Sequence, residues 1–215
     1  MYFSFAPENQ EVVTTKIGLS YTSVENARLN LYQEAADLEF DEAREEAQAT
    51  WEDYLGRIRV ETDRKEDKVK FYTGLYHALL GRGLASDANG AYPKNDGTVG
   101  QLPMKDGAPV YNVYNTDAAW GAQWNLSQLW TLAYPEYMSE YISSHLQAYK
   151  DAGWLADGLA NNRYVSGVGT NLLSTIIAGA YECGIRDFDT KTAYEACLKN
   201  ELDGKDRPFG AGKVN

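Results

Sequence analysis

Apolar residues along most of this chain recur at spacings of three and four, the period of a helix with one buried stripe. In Phe40–Ile58 the stripe is Phe40, Ala43, Ala47, Trp51, Tyr54, Leu55 and Ile58, with Glu42, Glu45, Glu46 and Glu52 largely off it. In Glu66–Leu80, which contains KFYTGLYHALL, it is Val69, Tyr72, Leu75, Tyr76 and Leu79. Further helices are predicted at Ser23–Leu31 and Thr116–Ala133, the latter capped by Asn115 or Thr116. Pro135–Ala152 follows, with its apolar positions at Met138, Tyr141, Ile142, Leu146 and Tyr149. Pro135 suits a helix start and Gly153 a helix end. Gly169–Glu182 is apolar nearly all round and reads as buried, ended by Gly184. Asp189 caps a last helix, Thr190–Asn200.

Two stretches break the rhythm. Residues 1–21 read as β, with YFSF and then EVVTTKIGLSY, whose Val, Thr and Ile alternate in part. Two strands alone cannot bury a sheet face, so they need partners from elsewhere or form the edge of a further domain. Gly81–Tyr114 carries the turn pairs Asn89-Gly90, Asp96-Gly97 and Asp106-Gly107, and reads as a small β excursion between helices.

The helices come in pairs, long connections alternating with short. That suits an α/α toroid, where inner and outer helices alternate around an axis, and six long helices would make about half of a twelve-helix ring. An ordinary helical solenoid shares the connectivity, and no fixed-period repeat separates the two.

Composition narrows the function classes. The chain has 215 residues, 44% of them hydrophobic, enough for a real core. A net charge of −11 and a pI near 4.7 argue against binding nucleic acid through its phosphates. No stretch approaches the length of a membrane span. The start has no basic and apolar leader, so the protein is either cytoplasmic or cut from a larger precursor. Cys183 and Cys197 lack metal-site spacing, and each reads as a small apolar residue in a helix, or the two as a disulfide. His77, among aromatics, reads as a structural histidine.

Three places could carry chemistry. Asp117, Trp120 and Trp124 stand at i, i+3 and i+7, which on a helix is one face. A carboxylate beside two indoles suits a sugar, whose hydroxyls donate to the acid and whose C–H faces stack on the rings. The same spacing serves plain packing, with Asp117 as a cap. Asp87-Ala88-Asn89-Gly90 begins like a calcium loop, but Ala91 stands where a further oxygen ligand belongs, and an Asx turn reads equally. The loop Trp154–Gly167, WLADGLANNRYVSG, is rich in amides and carries an Asp and an Arg. It could hold a ligand or simply connect two helices.

In order, KIGLSYTSVENARLNL, ATWEDYLGRIRVE, KFYTGLYHALL, SDANGAY and YECGIRDFDTKTAYEA resemble glycoside hydrolase family 92, the calcium-dependent exo-α-mannosidases. The resemblance implies a mainly α fold, a partial (α/α)6 toroid preceded by a few strands of a truncated β-sandwich. Residues 1–22 would end the sandwich, 23–65 be linker helices, and 66–215 the first half of the helical catalytic domain. It implies an exported parent enzyme that removes terminal α-mannose from a glycan with inversion, with calcium. The acid, base and metal ligands would lie beyond this chain, leaving it no catalytic residue and no metal site. The resemblance implies that Asp117 faces the sugar pocket and matches Asp87 to a recurrent acid before the Gly-Tyr pair; with Trp120 and Trp124 from the spacing above, these are the candidate substrate-binding residues. At the family's Ser-x-Trp-Asp-x-x-Arg segment Asp117 matches, whereas Thr116 replaces the Trp and Trp120 the Arg. A non-catalytic carbohydrate-binding or scaffold module, or another (α/α)6 glycosidase or lyase, stays open. Half a ring should expose an apolar face and self-associate through it.

Overall fold

A computed structural model describes residues 13–80, 83–160, 163–164 and 171–203. The described elements are α1 (Val24–Ala35), α2 (Phe40–Gly56), α3 (Lys65–Leu79), β1 (Ala91–Pro93), β2 (Val99–Gln101), β3 (Met104–Lys105) and β4 (Ala108–Pro109). Then come β5 (Asp117–Ala118), α4 (Ala119–Gln123), α5 (Leu126–Ala133), α6 (Pro135–Ala152), β6 (Gly158–Ala160), β7 (Arg163–Tyr164), α7 (Leu172–Glu182) and α8 (Thr190–Leu202).

α6 is the centre. Pro135 opens it and Gly153, at φ 81°, closes it in the left-handed conformation. Its apolar stripe places Met138, Tyr141, Ile142 and Leu146 at 0–2% exposure. Around them lie Trp130 of α5, Leu173, Ile176, Ile177 and Ala180 of α7, and Ala193 and Ala196 of α8. Ala119 and Ala122 of α4 are fully buried, and such small residues let helix backbones approach closely. Asp189 caps α8 by accepting the Thr192 N–H at 3.0 Å. The Thr192 hydroxyl first, then that bond and nearby Lys150, hold the Asp189 carboxyl down at about 2.

The β excursion is two hairpins, β1–β2 and β3–β4, turning at Gly97 (φ 87°) and Gly107 (φ 86°). Gly100 faces Tyr92 across the first, where a Cβ would come within 2.3 Å of the Tyr92 ring. The excursion is fastened to one polar face of α6 by three tyrosines. Tyr114 donates to Glu140 at 2.5 Å, Tyr111 to Gln147 at 2.7 Å and Tyr92 to Asp151 at 2.9 Å. The three acceptors are spaced seven and four residues apart, so they share a helix face. Burial pushes all three phenols up, and the neighbouring carboxylates add to it.

A second fastening ties α1 to the start of the excursion. Asp87 is 2% exposed. Its carboxylate accepts from the Ser20 hydroxyl at 3.0 Å, from Asn30 Nδ2 at 2.7 Å and from the Thr22 hydroxyl. Asn30 Oδ1 accepts the Ala88 N–H at 2.9 Å, and Asn89 Nδ2 donates to Asn26 Oδ1 at 2.9 Å. Asn26 and Asn30 are one turn apart on α1, which Ser23 caps through the Asn26 N–H. The two stretches that meet here are the SYTSVENARLNL and SDANGAY motifs.

Several expectations change. Among the described residues of 13–21 no strand forms, and none of them pairs into the three small sheets; residues 1–12 fall outside the description. The helix expected over Thr116–Ala133 divides into β5, α4 and α5. The Thr116 hydroxyl accepts the Leu159 N–H at 3.2 Å and Asp117 pairs with Leu159, which holds this stretch extended. Neither Asn115 nor Thr116 caps α4; Ala118 is its N-cap and makes no side-chain cap bond. Asp117 therefore does not share a helix face with Trp120 and Trp124. α7 buries only one side, leaving Ala178, Gly179 and Tyr181 exposed. The α2 stripe has no fully buried residue, and Phe40 is 68% exposed. Cys183 is exposed rather than packed, Cys197 is half-buried, and both are free thiols. His77 is exposed on α3.

The other histidine, His145, is fully buried in α6 against the Tyr141 ring, 4.8 Å between centroids. Neither ring nitrogen has a hydrogen-bond partner among the described residues. Desolvation pushes its pKa down to about 3.

Two outcomes follow. Asp87→Ala leaves the Ser20 and Thr22 hydroxyls and the Asn30 amide without their charged acceptor, and should cost about 3 kcal/mol in a urea titration. In a double-mutant cycle with Asn30→Ala the two losses should fall well short of adding, since both cut one network. His145 is neutral in the folded chain and protonates in the unfolded chain below about pH 6.5. Stability is thus full above that pH and declines as pH falls toward 3. The loss should reach about 2 kcal/mol by pH 5, read from urea midpoints, and His145→Leu should flatten the slope in this window.

Candidate functional site

The sugar-type cluster lies where the three-stranded sheet β5–β6–β7 runs into α4. Antiparallel pairing sets Asp117 opposite Leu159, Ala118 opposite Gly158, and Leu159 opposite Tyr164. Thr116 is fully buried, and its own N–H donates to the Leu159 carbonyl at 3.1 Å. The Ala119 N–H donates to the Asp157 carbonyl at 2.6 Å, joining the first turn of α4 to the strand before it. The backbone of Asp117 is thereby held at the mouth of α4 from both sides.

Trp120 and Trp124 follow on the outward side of α4, opposite the buried Ala119 and Ala122. Trp120 is 45% and Trp124 67% exposed, and their rings meet edge to face with centroids 5.2 Å apart. Core tryptophans look different: Trp130 is 1% exposed. An exposed pair of indoles leaves ring surface open to solvent, which is what stacking on a sugar's C–H face requires.

Asp87 is occupied elsewhere. Both its carboxylate oxygens take donors from Ser20, Thr22 and Asn30. The neighbouring Asn89 Oδ1 accepts the Ala91 N–H at 3.0 Å, an Asx turn around Gly90 (φ 79°). With its acidic oxygens so committed, this loop does not fit a calcium ion. Among the described residues no group of three or more His, Cys, Asp or Glu stands ready to hold a metal. The amide-rich loop supplies β6 and β7; residues 161–162 and 165–170 lie outside the description.

The structure adds a second concavity, of whose lining only Trp51, Tyr54 and Leu79 stand on stripes that the sequence marks. Trp51 and Tyr54 of α2 face Tyr114 and, from α5 and α6, Trp130, Tyr134 and Tyr137, around a cavity of about 310 Å³. The signal in the sequence was the aromatic run Trp130, Tyr134, Tyr137, Tyr141, whose spacing is that of any core helix.

A family model of the glycosyl hydrolase family 92 catalytic domain matches residues 26–213. The chain belongs to glycosyl hydrolase family 92. Its fold is similar to a family GH92 alpha-mannosidase from Bacteroides thetaiotaomicron, with a TM-score of 0.74 and 25% identity over 85% of this chain and 24% of that one. The same enzyme solved with mannoimidazole matches equally, at TM-score 0.74 and 25% identity over 85% of this chain and 23% of that one. A family GH92 inverting mannosidase from the same species gives 0.72 and 26%, over 84% of this chain and 24% of its own. The chain spans about a quarter of the length of these relatives. No curated protein sequence matches it. As a family 92 chain its mainly helical architecture is a partial (α/α)6 toroid, and an identity near 25% marks a divergent branch.

Exposure separates the two kinds of tryptophan experimentally. Trp120→Ala and Trp124→Ala should each change stability by under about 1 kcal/mol, as surface substitutions do. Trp130→Ala should cost about 3–5 kcal/mol. Thermal or urea unfolding of the three variants decides it; a loss near 3 kcal/mol for Trp124→Ala would make that indole a packing residue.

Proposed function

We propose that this chain is the first part of the helical catalytic domain of an inverting glycoside hydrolase that removes terminal α-mannose from glycans. The observation that carries the reading is the match of residues 26–213 to the family's catalytic domain, joined to a fold shared with two mannosidases. In it Asp117, Trp120 and Trp124 form part of the substrate wall: the indoles stack on the sugar and the Asp117 carboxylate accepts from a hydroxyl. Asp87 supports that wall from behind by fixing the N-terminal segment. This segment reaches the site: the Tyr21 hydroxyl accepts from Asn115 Nδ2 at 3.2 Å, two residues before Asp117.

Inverting hydrolysis needs a carboxyl acid and a carboxylate base about 6.5–9.5 Å apart across the scissile bond. In this reading neither comes from this chain, and the calcium of the family is held outside the described residues. The chain by itself binds without turning over. Trp120 in place of the family's Arg removes a cationic donor from the wall and adds an indole face, so recognition here leans on stacking. Residues 1–22 end a sandwich and 23–65 link it to the toroid, in an exported parent. Tyr181 at 42%, Tyr194 at 68% and Leu202 at 71% exposure give α7 and α8 the apolar surface through which copies associate.

With an aryl α-mannoside and calcium, the isolated chain should give no turnover. It should bind methyl α-mannoside weakly, with tryptophan fluorescence changes that Trp124→Ala diminishes. Turnover that persists in Asp117→Ala would overturn both the site and the inert-chain reading. Light scattering on the same samples should give a mass above the 24.0 kDa of one chain; a clean monomer would remove the association.

A further inference from the structure

The aromatic cavity between α2 and the α5–α6 pair has no part in the wall around Asp117. We propose that it is a separate binding site for an uncharged planar ring, of about the size of a substituted phenol or a two-ring aryl group. The inference stands on the cavity alone and not on the mannoside reading.

Six rings build it: Trp51, Tyr54, Tyr114, Trp130, Tyr134 and Tyr137. They brace one another. Tyr54 and Tyr134 stack at 6.0 Å, Tyr137 meets Trp130 edge-on at 5.2 Å, and Tyr114 meets Tyr137 edge-on at 5.3 Å. Behind Trp51 stands Tyr76, 4.5 Å away. A cavity whose walls hold their own geometry costs little ordering on binding. At about 310 Å³ it falls at the small end of ligand pockets.

The polar groups decide what fits. The Tyr114 hydroxyl donates to Glu140 at 2.5 Å, the Tyr134 hydroxyl to the Tyr54 carbonyl at 2.9 Å, and the Thr50 hydroxyl to the Glu46 carbonyl at 2.9 Å. These donors are committed to the protein, so a polyhydroxylated sugar would lose more to water than it gained. A cation is disfavoured because two of the rings already serve one. The Arg57 guanidinium lies 4.6 Å from the Tyr54 ring centre and 5.3 Å from that of Tyr134. It is held charged by Glu136 first and by Asp53. Anions meet the negative faces of the rings. What remains is a neutral ring that stacks or meets the walls edge-on.

The probe is p-cresol, titrated by calorimetry and followed by ligand-observed NMR on the whole chain. Saturable binding at one site per chain in the millimolar range or tighter is expected for so small a ligand. Thr50→Phe places a ring in the cavity from the exposed side of α2 and should weaken binding at least tenfold without lowering the melting temperature. Trp51→Ala should weaken it as well. Tyr194→Ala, which alters the apolar groove between α7 and α8, should leave binding unchanged. Methyl α-mannoside at saturating concentration should not displace the probe. Non-saturating binding, binding that survives Thr50→Phe, loss of binding in Tyr194→Ala, or displacement by the mannoside would each overturn the assignment.

Discussion

The constraint on which the rest of the molecule depends is the buried carboxylate of Asp87. Few interactions this far apart in sequence are so concentrated: Ser20, Thr22 and Asn30 all converge on one side chain. A buried carboxylate is costly unless its oxygens are satisfied, so the segment that supplies the donors cannot drift without stranding the charge. That requirement fixes where α1 begins and how Asn26 and Asn30 face the Asp87–Gly90 turn. It also fixes where Tyr21 stands, and Tyr21 reaches Asn115 at the edge of the candidate sugar site. A network remote in sequence thus ties the N-terminal segment to the stretch that carries the candidate site.

α6 is the complementary constraint. One of its faces is apolar and sealed at the core; another offers Glu140, Gln147 and Asp151 to three tyrosines. The hairpins between Ala91 and Pro109 have strands of two or three residues and little apolar area of their own. Tyr92, Leu102 and Val113 form their small core, and the tyrosine hydroxyls dock it on the helix. Tyr114 is the hinge of the arrangement. Its hydroxyl ends on Glu140, its ring lines the aromatic cavity, and three residues later the chain enters β5.

Much of this was legible in the sequence where a local rule decided the outcome. The helix α6 with Pro135 and Gly153, the Asp189 cap and the glycine turns of the excursion needed only propensity and positive φ, and all stand as read. Two of the five motifs that carried the family resemblance, SYTSVENARLNL and SDANGAY, are the ones that meet around Asp87. What misled was the assumption that helical spacing implies helix. In Asn115–Trp124 the aromatics recur as on a helix, yet pairing with Gly158–Leu159 across more than forty residues overrides that period. The α7 reading failed for a related reason. A nearly all-apolar helix needs partners on every side, and the described residues supply them on only one.

The division of Asn115–Ala133 bears on recognition as well as on fold. A single helix through Asp117, Trp120 and Trp124 would have pointed all three side chains along one stripe, and burial of that stripe would have made them core. Strand pairing instead ends at Ala118, and Ala119 and Ala122 take the buried side of the short α4. With the two small residues inward, the indoles one turn apart can only face outward. The family's Trp, had it stood at Thr116, would have had to fit a fully buried position whose hydroxyl now closes a bond to Leu159. Any stacking surface in this stretch is therefore offered from the helix, by the exposed Trp120 and Trp124 rings, and not from the strand.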